Sequence, residues 1–70
     1  MDRNVIKIWA SIIVKALGDK GKLSVDEIHQ TTGLHVPHIC AAIGWLAWEN
    51  KIVFIDNNYI SLTHYNERYY

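Results

Sequence analysis

Residues 23–53 read LSVDEIHQTTGLHVPHICAAIGWLAWENKIV, and the order of signals along this run decides the architecture. The Ser24 hydroxyl can accept from the Glu27 amide while the Glu27 carboxylate reaches back, so Ser24-Val-Asp-Glu27 is a capping box that opens a short helix. Asp26 and Glu27 suit its positive end. Val25, Ile28 and Thr32 recur at helical spacing, and Gly33 can take the left-handed conformation that ends a helix, so this helix stops near Thr32. Leu34 then faces inward from the turn. Pro37 suits a first helical turn, so a second, longer helix is expected from Val36 to Asn50. On that helix Ile39, Ile43, Leu46 and Asn50 share a core stripe, with Val36, Ala42 and Ala47 at its edges. Pro37, Ala41, Gly44, Trp45 and Trp48 fall on the opposite side.

Upstream, Val5, Ile6, Trp9, Ile12, Ile13, Ala16 and Leu17 follow helical spacing. Gly18 stands after them as a cap, which predicts a first helix from Asn4 to Leu17 with Asn4 or Asp2 at its start. Ile8 and Val14 lie outside the stripe, so this helix is more apolar than one buried face requires. Asp19-Lys20-Gly21 is a turn. Downstream, Ile52 to Ile55 is a β-branched and aromatic run, Asp56-Asn57-Asn58 tolerates positive φ, and Tyr59 to Thr63 alternates. This predicts a β-hairpin with Ile60 and Leu62 facing the core and Tyr59, Ser61 and Thr63 facing out. His64 to Tyr70 shows no periodicity and reads as a tail, so the expected division is a domain over residues 1–64 and a tail over residues 65–70.

The residues Ile8-Trp9, Leu23-Ser24-Val25, Glu27-Ile28 and Thr32-Gly33-Leu34 resemble a winged helix-turn-helix domain, as does Ala42-Ile43-Gly44-Trp45-Leu46-Ala47 followed by Glu49 and Lys51-Ile52. The resemblance spans Val5 to Thr63. It is closest to a family of small bacterial stand-alone winged-helix proteins of uncharacterised function, with Gly44-Trp45-Leu46-Ala47 as the specific piece. It implies a single α+β winged helix-turn-helix: three helices, a very short strand at Lys22-Leu23 and a C-terminal hairpin wing. It also implies nucleic acid as a partner class, although a fold does not fix a function.

Seventy residues make one domain, and a chain this short buries only about 60% of its unfolded surface, a deficit that dimerisation offsets. Half the residues are hydrophobic, so a core can form. A single cysteine, Cys40, permits no internal disulfide and fits a reducing cytoplasm. The apolar run Ile8 to Val14 is far shorter than a membrane span, and neither a signal peptide nor a transmembrane helix is expected. Seven Lys plus Arg balance seven Asp plus Glu, whereas nucleic-acid binders usually carry a basic excess or a basic face.

Two functional readings follow. In the first, the chain is a DNA-binding, transcription-associated domain. His35, Pro37, His38, Ala41 and Trp45 then face the groove, Lys22 and Lys51 reach phosphates, and Asn57 and Asn58 stand at the wing tip. Against it, no Lys or Arg lies between Val36 and Asn50, and Asp56 makes the wing tip acidic. In the second, it is a protein-interaction or homodimerisation module, with Trp48, Trp45, Trp9, Ile8 and Tyr69 as the interface. His35-Val-Pro-His38-Ile-Cys40 has the right ligand types for zinc but the wrong spacing, since Cys40 points away from His38, so no metal or other cofactor is expected. Cys40 has no positioned base, and neither a phosphate loop nor a carboxylate pair appears, so no enzyme activity is expected.

Overall fold

A capping box and a left-handed glycine bracket the second helix of the computed structural model, which describes residues 2–56 and 58–63. The Ser24 Oγ accepts from the Glu27 amide at 3.2 Å and Glu27 Oε1 accepts from the Ser24 amide at 2.9 Å. Gly33, at φ 78°, closes the other end. The elements in order are α1 (Arg3–Lys20), β1 (Lys22–Ser24), α2 (Val25–Thr32), α3 (Val36–Trp48), β2 (Ile52–Ile55) and β3 (Tyr59–Leu62). This is the expected α+β order of helix, short strand, helix, turn, helix and hairpin.

The three strands form one antiparallel sheet in the order β1-β3-β2. Leu23 pairs with Ile60, and Phe54 pairs with Ile60 from the other side, while Ile52 pairs with Leu62. Residues opposite one another share a face, so Leu23, Ile52, Phe54, Ile60 and Leu62 all point toward the helices. The core joins these strands to Ala10, Ile13, Ala16 and Leu17 of α1, Ile28 of α2, and Ile39, Ala42, Ile43 and Leu46 of α3. Ile13, Leu17, Ile28, Ile39 and Ile60 are fully enclosed, each contributing about 1.5–3 kcal/mol of burial. Among the described residues no polar or charged residue counts as buried, so the core itself is wholly apolar.

Two helix ends differ from the sequence expectation, each for a local reason. Helix α1 runs on past Gly18 to Lys20, and Gly21, at φ 92°, caps it by donating to the Leu17 carbonyl at 2.8 Å. The helix carries the roughly 1 kcal/mol cost of the interior Gly18, and Lys20 suits its negative end. At the other end Asp2, not Asn4, is the cap, accepting from the Asn4 amide at 2.9 Å. Helix α3 stops at Trp48, because Asn50 turns left-handed at φ 60°. The Lys51 amide donates to the Leu46 carbonyl at 2.9 Å and the Asn50 amide to the Ala47 carbonyl at 3.0 Å, a Schellman motif with asparagine in the glycine position. Asn50 is therefore exposed instead of lying on the core stripe, and Val36 is exposed too.

Smaller differences concern faces. Ile12, expected on the buried stripe of α1, is exposed, and Ala10, which that stripe omitted, is buried. Tyr59, Ser61 and Thr63 are half-buried instead of fully outward. Ser61 donates to the Gly21 carbonyl at 3.1 Å, tying β3 to the α1 cap. Asn57 and the tail, including Tyr69, lie outside the described residues.

Candidate interaction face of helix α3

Ile39, Ala42, Ile43 and Leu46 turn one side of α3 into the core, which leaves Pro37, Ala41, Gly44 and Trp48 along the opposite side. The turn before α3 holds this helix in place. Thr32 Oγ1 donates to the Ile28 carbonyl at 2.7 Å and accepts from the Leu34 amide at 3.2 Å, and His29 Nδ1 lies 2.6 Å from the Leu34 carbonyl oxygen. Trp48 is 76% exposed, the most open large apolar side chain among the described residues. No charged residue occurs from Val36 to Trp48. The outward face is thus an apolar strip about 20 Å long, by the rise of 1.5 Å per residue over 13 residues.

The flanks of the strip are occupied from within the chain. The His38 ring stacks on Trp9 of α1 with centroids 4.2 Å apart and planes 10° from parallel. His35, the N-cap residue of α3, meets His38 edge-on at 5.6 Å and makes no side-chain capping bond. Trp45 is half-buried against the core, its ring 5.6 Å from that of Trp48, with Lys7 Nζ 6.0 Å from its centroid. Trp45 also walls a groove of about 440 Å³ between α1 and α3, floored by Ala10, Val14 and Leu46. Of the groove-facing candidates, therefore, Pro37 and His35 are open, Ala41 is half-open, and His38 and Trp45 are largely engaged with α1.

Of the cations near this surface, Lys22 and Lys51 are paired with carboxylates. Lys22 Nζ lies 3.2 Å from Asp56 Oδ2 and 5.0 Å from the Tyr59 ring centroid, so it bends along the sheet toward the hairpin tip. Lys51 lies 3.7 Å from Glu49 Oε1. Such exposed pairs are worth only about 0–1 kcal/mol, so the lysines can swing free, but each leaves a carboxylate where a phosphate would approach. Asn58 is exposed beside Asp56 at the hairpin tip, and the Asn58 amide donates to the Asp56 carbonyl at 2.7 Å.

Trp9 and Ile8 part company with Trp48. Trp9 is half-buried under His38, and Ile8, 58% exposed, lies on the side of α1 turned away from its buried Ala10, Ile13 and Leu17. Sequence reading missed Phe54, which is 62% exposed although its register puts it on the core face of the sheet. It sits two pairs beyond Ile52 on the edge strand β2, opposite the buried Ile60, and lines a shallow groove with Val25 and Tyr59. Period-two alternation could have placed its face but not its position on an edge strand.

The arrangement of α2, turn, α3 and hairpin has a counterpart among known families. The family model described as Winged helix-turn-helix domain (DUF2582) matches residues 1–64. The chain belongs to this family. In this winged helix-turn-helix domain α2 and α3 are the two helices of the motif and β2 with β3 is the wing. No curated protein and no solved structure matches the chain. Among the described residues of the winged helix-turn-helix domain no three His, Cys, Asp or Glu side chains gather as a metal group, and no helix is long and apolar enough to cross a membrane.

Proposed function

We propose that this winged helix-turn-helix domain is a non-enzymatic association module of the cytoplasm, in which the outward face of α3 contacts protein. One observation carries the reading: the α3 surface that would enter a DNA groove presents Trp48 at 76% exposure and not one charged side chain. Phosphate contacts supply most of the affinity for duplex DNA, and they come from Lys and Arg. An exposed aromatic ring on a surface without charges is instead the composition of an interface core. Cys40, single and exposed, suits a reducing compartment.

The second reading, a DNA-binding and transcription-associated domain, has the winged helix-turn-helix architecture of the family in its favour. The two readings separate by salt. Phosphate binding falls steeply between about 50 mM and about 200 mM salt, whereas apolar contact is nearly indifferent to it. Titrating a generic duplex into the protein at both salt concentrations, with tryptophan emission as the readout, is expected to leave the emission unchanged. A change at low salt that vanishes at the higher salt would put DNA against Trp45 and Trp48 and overturn the association reading.

A further inference from the structure

We infer that the partner of the α3 face is a second copy of this chain, docked antiparallel about a two-fold axis that passes between Ala41 and Gly44. The inference rests on the association reading above and names its partner. A two-fold contact must be self-complementary, each residue meeting its symmetry-related opposite. The outward strip satisfies this, because the pair Ala41 and Gly44 and the pair Pro37 and Trp48 share one midpoint along the helix. Setting Ala41 against Gly44 of the copy therefore lays the Trp48 indole on the Pro37 ring of the copy, at both ends of the contact.

Three further observations fit this occupant. Gly44 lies in the middle of α3, and a Cβ built there would meet nothing within 4 Å, so the fold of the single chain does not explain a residue that weakens helices. Close approach of a second backbone does. The contact also brings no charges together, since Val36 to Trp48 has none. Antiparallel docking sets the N-terminal end of α3, where His35 makes no side-chain cap, beside the C-terminal end of the copy's α3, the arrangement that helix dipoles favour.

The contact is small. Two tryptophan rings of roughly 150–250 Å² each, with the flat centre between them, place the contact at or below the lower end of the roughly 1,200–2,000 Å² found in specific interfaces.

The test is an isotope-filtered NOE measurement on a mixture of labelled and unlabelled full-length chain at high protein concentration, with molecular mass read on the same sample. A dimeric mass with intermolecular cross-peaks from the Trp48 indole to the Pro37 ring is the expected result. A dimeric mass with cross-peaks from Trp48 to Trp48, or from another surface alone, overturns the antiparallel register while leaving association intact. A monomeric mass overturns self-association itself. Gly44→Leu guards against misfolding as an explanation: the open space at Gly44 predicts an unchanged or raised melting temperature together with at least tenfold weaker association. Unchanged association in that variant would contradict the docking.

Discussion

Replacing Ile39 by alanine is expected to lower the stability of the domain by roughly 2–5 kcal/mol, measured by urea denaturation. Ile39 is 0% exposed and lies on the first turns of α3, in the same enclosed cluster as Ile13 and Leu17 of α1 and Ile28 of α2. Removing its branched end takes apolar surface out of the core and leaves a space that three helices would have to move together to fill. A domain of this length has a total stability on the order of 4–10 kcal/mol, so Ile39→Ala should stand close to the unfolding threshold at ambient temperature. Cys40→Ser, one residue along and exposed, is the contrast and should stay within about 0.5 kcal/mol. Both are to be measured at protein concentrations well below the dimer dissociation constant, because association stabilises the folded state by mass action. A small effect at Ile39 would mean that α3 is not seated on the other helices as described.

Trp48→Ala is expected to weaken association by about 2 kcal/mol, roughly thirtyfold in the dissociation constant, with little change in the stability of the single chain. The two halves of this prediction come from the same fact. Trp48 is 76% exposed, so its ring has almost nothing to lose within its own chain and everything to offer a partner. Trp45, its neighbour at 5.6 Å, makes the comparison instructive. Trp45 is half-buried against the core and walls the groove above Ala10 and Val14, so Trp45→Ala should lower stability first. Sedimentation equilibrium across a concentration series reads the association, and thermal unfolding at low concentration reads the fold. An unchanged dissociation constant in Trp48→Ala would remove that ring from the interface.

The fold was legible wherever one residue type answers one local need. Ser24 with Glu27 announces a capping box, Gly33 a left-handed stop, and Ile60 and Leu62 the inward side of a strand; each stands where those needs place it. The errors came where local signals compete. Gly18 looks like a stop, but Gly21, three residues on, supplies the positive φ and the amide bond to Leu17 that close α1. Asn50 continues the helical stripe on paper, yet asparagine tolerates positive φ and ends α3 there instead.

The candidate site was legible in composition and not in arrangement. The absence of Lys and Arg from α3 can be read directly along the chain. That Trp9 would stack on His38, and that Lys22 would bend to Asp56, depends on side chains separated by 29 and by 34 residues. No spacing rule covers such distances. Phe54 escaped notice because only the strand order puts β2 at the edge of the sheet, where a residue on the core face can stay exposed.

The most direct measurement is the molecular mass of the protein in solution at micromolar to millimolar concentration, at low salt and again at about 1 M salt, where the screening length falls to about 3 Å. If the α3 face serves self-association, the mass should rise toward the dimer with concentration and the rise should be as large in high salt as in low. A mass that stays monomeric throughout, or a dimer that high salt dissolves, would contradict it.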